Sequence, residues 1–190
     1  KIRSVEACYK SSKFATELAK RTGAKLNVFH ISTQMELDLF ENTLPVEQKK
    51  ITAEVCAHHL WFTDKDYEKL GSKIKWNPAI KSKSDKDSLW KAIKEDKIDI
   101  IASDHAPHTE IEKENSYFNC PSGGPMVQHT IISLLDESPK HGVNIEKVIE
   151  KIAHNPAKIF NIKKRGFIRE GYFADLVLID PNSPTLVTKK

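Results

Sequence analysis

The residues able to do chemistry in this chain collect where apolar runs end. Ile98-Asp99-Ile100-Ile101-Ala102-Ser103 runs directly into Asp104-His105-Ala106-Pro107-His108-Thr109. An aspartate in that place can ligate a metal and also carry a proton to and from water. The plainer alternative is a turn-capping carboxylate beside two solvent-facing histidines. Lys25-Leu26-Asn27-Val28-Phe29-His30-Ile31 brings His30 to the end of a second run. A neutral imidazole there suits zinc through one nitrogen, with the other fixed by an acceptor; a satisfied core histidine is the alternative. His58 and His59 follow a third run, Ile51 to Ala57. Adjacent side chains on a strand point to opposite faces, so at most one of the pair is expected to face a site.

Two further segments read as loops that shape a substrate. Asn77-Pro78 offers a donor and an acceptor to an amide-like ligand, and Ser122-Gly123-Gly124 permits close backbone approach. Ordinary turn chemistry is the alternative for both. Cysteine nucleophiles are not indicated: Cys56 lies in an apolar run, Cys8 on a helical pattern, and no basic neighbour marks Cys120. A Gly-rich phosphate loop and a dinucleotide fingerprint are both absent.

These residues need elements to position them. Apolar spacing predicts a helix over 4–22, with Ser4 as N-cap and Gly23 as its stop. Strands follow at 25–31, 51–57 and 98–103, and Ala174–Ile179 reads as a fourth. Between them lie helices at 34–42 after Ser32-Thr33, from Thr63-Asp64 to Gly71, and at 84–96. An extended stretch covers 74–80, because Pro78 biases Asn77 away from helix. A polar loop spans 105–125, and helices are expected at 126–137, 145–153 and 156–161. Strands alternating with helices predict a parallel α/β structure, with ligand groups at the carboxyl ends of the strands and helices over the outer face.

Composition narrows the classes. At 190 residues the chain is one domain, or a domain with a small appendage. With 39% hydrophobic and 29% charged residues it is not a disordered chain. No apolar run approaches the ~20 residues of a membrane helix, and no signal-type stretch opens the sequence. The net charge of +4 is spread among interleaved acids, which argues against nucleic acid as a partner. Three unclustered cysteines suit a reducing, cytoplasmic setting. Closing a barrel takes eight strands and about 250 residues, so the chain is short of one. It also begins without Met on an amphipathic pattern, and upstream material is expected to be missing.

VFHIST, TAEVCAHHLWFT, KWNPAI, ASDHAPHT followed by Glu112-Lys113, and the Gly-Gly loop occur in that order, and HNPAKIFNI and GFIREGYFADLVLID close the chain. Together they resemble dihydroorotase of the amidohydrolase superfamily, in its carboxyl-terminal portion. The two closing motifs are shared with hydantoinases and allantoinases. The resemblance implies the last strands and helices of a (β/α)₈ TIM barrel over 1–162 and the start of a small β-subdomain over 163–190. It implies two zinc ions in the complete enzyme and the reversible interconversion of N-carbamoyl-L-aspartate and L-dihydroorotate, a step of de novo pyrimidine synthesis. By motif, His30 and Asp104 match metal ligands, with Asp104 also the general base and acid. His108 and Asn77 match substrate-holding residues, and Pro121, Ser122 and Gly123 fall in the loop that contacts the pyrimidine ring. His58 and His59 match a family feature without being ligands there.

By the same resemblance, the family's H-x-H, its bridging metal ligand and one further metal histidine are expected upstream of Lys1. The isolated chain is therefore expected to be inactive without the upstream half of the polypeptide, and homo-oligomer formation is left open. Asn77 and His108 are expected to share one cleft with Asp104. The competing readings are a non-catalytic dihydroorotase-like subunit and a sister cyclic amidase.

Overall fold

A computed structural model describes residues 3–184, 186 and 188. Helix α1, Val5–Thr22, begins where the Ser4 hydroxyl accepts the Ala7 N–H and stops at Gly23, which sits in the left-handed region at φ 71°. Both ends are those the caps predict. Three parallel strands follow, β1 Leu26–Val28, β2 Ile51–Cys56 and β3 Ile100–Ala102, in the spatial order β1-β2-β3. Leu26 pairs with Ile51, and Glu54 with Ile100.

Strand alternation divides the sheet into two faces. Ala53, Val55 and Ile101 face a core with Leu89, Trp90 and Ile93 of α4 (Lys83–Lys94), Leu134 of α6 (Thr130–Glu137) and Val148 of α7 (Ile145–Ile149). Each such large side chain stabilises the fold by roughly 1.5–3 kcal/mol on full burial. Thr52, Glu54 and Cys56 take the other face, where the Thr52 hydroxyl donates to Asn27 at 2.7 Å. A buried ion pair fastens the amino ends of β2 and β3. Lys49 Nζ lies 2.7 Å from Asp99 Oδ1, and Asp99 Oδ2 accepts the Ala53 N–H.

Several elements depart from the expected bounds. The pattern over 34–42 forms only a 3₁₀ turn, Gln34–Leu39, capped by Thr33. His58 and His59 do not end a strand: β2 passes directly into helix α2, Ala57–Trp61, so the opposite-faces rule does not govern them. Thr63 caps a short turn that leads into α3, Tyr67–Leu70. The loop after β3 contains one helical turn, α5 Glu110–Lys113. Residues 145–159 run on through a π turn at Glu150–His154 into α8, Asn155–Ile159, without the break expected after 153. Ala174–Ile179 forms no strand; Leu176, Val177 and Leu178 are exposed. A strand exists by its pairing: Phe173 N–H donates to Lys164 O and Arg165 pairs with Asp175, but among the described residues no ladder continues along 174–179. Among the described residues, no helix is long and apolar enough to cross a membrane.

Candidate active site

The site is built on two kinked strand ends. After β1 the backbone steps out at His30, whose φ is 44°, and returns when Ile31 N–H donates to Glu54 O at 2.7 Å. A left-handed histidine costs conformational energy and persists only where its surroundings enforce it. The enforcing group is Glu36, nearly fully buried. Its carboxylate accepts from Ser12 Oγ at 2.6 Å, from Thr33 Oγ1 at 2.9 Å, and from the backbone N–H groups of Thr33 and Ser32 at 3.1 and 3.3 Å. The polar groups just past His30 are thus saturated from below. His30 itself lines a cleft of about 440 Å³ together with Asn77, Pro78 and Arg3.

Asp104 repeats the kink two residues past β3, with φ 47°. Its side chain is about one-third exposed, and its Oδ2 lies 3.8 Å from His58 Nε2. Burial, with smaller contributions from His59 and His30, pushes the His58 pKa well below the usual imidazole range. Burial likewise takes His59 down to about 3, although its Nε2 is 3.0 Å from Pro78 O. Both rings are neutral at pH 7. The His58 ring stacks on Trp76 at 4.5 Å between centroids, and neither of its nitrogens has a hydrogen-bond partner. Glu54, also on the open face of the sheet, has its carboxyl pushed up to about 7. Burial is the main cause, and the Asp104 charge adds to it.

The fit to a metal differs between two donor sets. Cys56, His58 and His59 bring ligand atoms within 4.8 Å of one another. Without a metal, burial raises the Cys56 thiol well above its ordinary range; a coordinated zinc would take it as the thiolate. His59 Nε2 lies 3.0 Å from Pro78 O, which leaves its Nδ1 without a hydrogen-bond partner. That set offers three buried donors. His30 and Asp104 offer an imidazole and a carboxylate at carboxyl strand ends, two donors where a catalytic zinc takes about three plus water.

The loop 105–125 closes the rim. His105 and Gly124 form a β-bridge, Ala106 N–H donates to Gly124 O at 3.1 Å, and His105 Nδ1 accepts the Val127 N–H. His108 Nε2 is 3.2 Å from Ser122 O. Gly123, at φ 126°, approaches Ala106 so closely that a Cβ would stand 2.6 Å from the Ala106 carbonyl oxygen. Arg3 joins this loop to the cleft by donating to Trp76 O and Ser122 Oγ.

The structure therefore gathers the sequence-read residues in groups. His30 and Asn77 share a cleft, His108 and Ser122 touch with Pro121 and Gly123 beside them, and Asp104 stands against His58. The residues lining the His30–Asn77 cleft do not include Asp104 or His108. Sequence reasoning missed Glu36, Glu54, Trp76, Lys75 and Lys113. The Glu112-Lys113 pair after ASDHAPHT was the available signal for the last of these.

Residues 27–190 match the amidohydrolase family. The chain is 35% identical over 167 residues to a dihydroorotase of Clostridioides difficile (strain 630), covering 86% of this chain and 39% of that protein. It is 32% identical over 194 residues to an allantoinase of Bacillus velezensis (strain DSM 23117 / BGSC 10A6 / LMG 26770 / FZB42), covering 99% and 41%. Its fold superposes on an L-hydantoinase (dihydropyrimidinase) from Arthrobacter aurescens with a TM-score of 0.80 at 24% identity, covering 87% and 38%, a likeness of fold alone. The chain spans about two fifths of the length of these proteins.

Proposed function

Because this chain belongs to the amidohydrolase family, we propose that it is the carboxyl-terminal part of a (β/α)₈-barrel cyclic amide hydrolase, a dihydroorotase. The carrying observation is the pair His30 and Asp104, each held in left-handed backbone at the carboxyl end of a parallel strand. In this reading both hold zinc, two ions in the complete enzyme, and the remaining ligands come from a preceding segment of the same polypeptide. When bound, zinc lowers the pKa of water and polarises a carbonyl. Asp104 accepts the proton of the attacking water and returns it to the leaving nitrogen; such acid–base help is worth about 10²–10⁴-fold. Asn77 and His108 orient the substrate, dihydroorotate or carbamoyl-aspartate, and Pro121, Ser122 and Gly123 bound its ring. Residues 163–190 belong to a small β-subdomain. Three unpaired cysteines support a cytoplasmic location.

The allantoinase match, over 99% of the chain, favours a second reading as a sister cyclic amidase. The test uses the complete gene product, purified with zinc and offered dihydroorotate, allantoin and hydantoin in parallel. Carbamoyl-aspartate formation from dihydroorotate is expected. It should fall by about 10²–10⁴-fold in Asp104→Ala, and zinc content should drop in His30→Ala. Hydrolysis of allantoin or hydantoin alone would replace the first reading by the second. Turnover at an ordinary enzyme rate by residues 1–190 alone would mean that the metal ligands are misplaced.

A further inference from the structure

Lys75 and Lys113 are buried beneath the loop that faces His108. Among the described residues, neither ammonium pairs with a carboxylate. Lys113 Nζ donates to three backbone carbonyls, those of Gly123 at 2.9 Å, Pro121 at 3.1 Å and Lys75 at 3.3 Å. Lys75 Nζ donates to Cys120 O at 2.5 Å, Tyr117 O at 2.6 Å and, more weakly, Phe118 O at 3.5 Å. The two ammonium groups thus reach carbonyls on both sides of Ser122. An ammonium has three donors and no acceptor, so three convergent carbonyls satisfy it. The converse matters more: carbonyl oxygens turned toward one point repel one another and converge only around a positive charge.

The lysines are held in turn. Lys113 ends the single turn α5, which Glu112 fastens by accepting from Thr109 N–H at 2.7 Å and Thr109 Oγ1 at 2.8 Å. Lys75 O accepts the Gly123 N–H at 2.9 Å. Glu112-Lys113 therefore works as one device: Glu112 folds the turn that follows His108, and Lys113 reaches from that turn to the opposite side of the rim. The outcome is the contact between His108 Nε2 and Ser122 O and the close seat of Gly124 on Trp76, where a Cβ would meet the indole at 2.7 Å.

We propose that Lys113 and Lys75 are positioning residues that fix the Pro121–Gly124 backbone against His108 and thereby set the affinity for substrate. The affinity half of this rests on the reading that the loop contacts the substrate; the loop-fixing half does not. The experiment uses the complete enzyme and its Lys113→Met and Lys75→Met variants, with Lys73→Met as an exposed control beside them. Backbone hydrogen exchange is read without substrate, and steady-state kinetics and zinc content are read with it. The amides of 119, 120 and 122–124 should exchange at least about tenfold faster in both buried-lysine variants, with β1–β3 unchanged. KM for dihydroorotate should rise about tenfold, kcat should stay within about threefold, and zinc content should hold. Lys73→Met should match the parent. Lys113→Arg, which keeps a cation in the cradle, should fold and give an intermediate KM; it is the variant to read if Lys113→Met does not accumulate. Unchanged protection of 119–124, or a fall in kcat at constant KM, would overturn the proposal. A parent enzyme that turns over no cyclic amide, with loop protection still dependent on Lys113, would sink the functional reading and leave the loop role standing.

Discussion

At the His30 rim a buried carboxylate gathers N–H groups, whereas at the Asp104 rim buried ammonium groups gather carbonyls. Glu36 sits under the residues just past His30 and satisfies donors that the kink at φ 44° leaves unpaired. Lys75 and Lys113 sit under the loop opposite Asp104 and satisfy acceptors. The same left-handed turn-out of a strand end is thus supported by opposite charges. Which charge is needed follows from what the backbone exposes next. After His30 the chain enters a capped turn, whose first N–H groups are free. After Asp104 it crosses the rim and folds back, and the carbonyls of the return path point inward.

The comparison can be tested by breaking each support. The largest effect is expected for Glu36→Ala, which strands the Ser32 and Thr33 N–H groups and the Ser12 hydroxyl in the interior. Buried unsatisfied groups cost about 1–3 kcal/mol each, and partial relaxation brings the expected loss to about 3–4 kcal/mol. Urea unfolding of the complete protein measures it, and a loss under about 1 kcal/mol would show that the carboxylate is not the support. Gly123→Ala attacks the other rim, adding a Cβ at positive φ against backbone. About 2–3 kcal/mol should be lost, and hydrogen exchange should locate the loosening in the loop rather than the sheet.

Buried His59 and half-buried Glu54 give the molecule opposing pH responses. The folded pKa of His59 is depressed to about 3, so the unfolded chain takes up the proton first. That contribution is complete above about pH 6.5 and is lost as pH falls toward 3. Glu54 is raised to about 7, so between about 4.5 and 7 the folded state holds a proton that the unfolded state has released. Stability therefore falls as pH rises through that window. Glu54→Gln should gain on the order of 2–3 kcal/mol at pH 8 and nothing below pH 4.5. An equal gain at both pH values would mean that packing, not ionisation, is responsible. The smallest effect belongs to neither rim. Lys83→Ala removes an exposed i,i+4 pair with Asp87 and should change stability by no more than about 0.5 kcal/mol in the same urea titration.

Much of this arrangement can be read from residues alone. Ser4 and Gly23 bound α1 because caps are local chemistry, and the apolar runs around Val28, Val55 and Ile101 announce parallel strands in the right neighbourhood. His58 and His59 mislead because no turn residue separates β2 from α2, so strand spacing carries over into a helix. Ala174–Ile179 misleads differently: its β-rich composition is real, but pairing depends on a neighbour that local sequence cannot supply. His30 and Asp104 are legible as polar residues at strand ends. Their supports are not, because a lysine in sequence reads as solvated surface and only the fold reveals that Lys75 and Lys113 are enclosed by carbonyls.

The stacking of Trp76 on His58 has an optical consequence. Trp76 lies between the histidine nearest Asp104 and the glycine loop, with Lys113 Nζ 5.9 Å from its ring. Trp90, fully buried, stacks on His141 on the far side of the sheet. With Trp90 and the more exposed Trp61 replaced by Phe, near-ultraviolet absorption and emission come from the first indole and report on whatever enters or reorganises the rim. The chain carries its own label for following assembly of the site, and no dye need be attached.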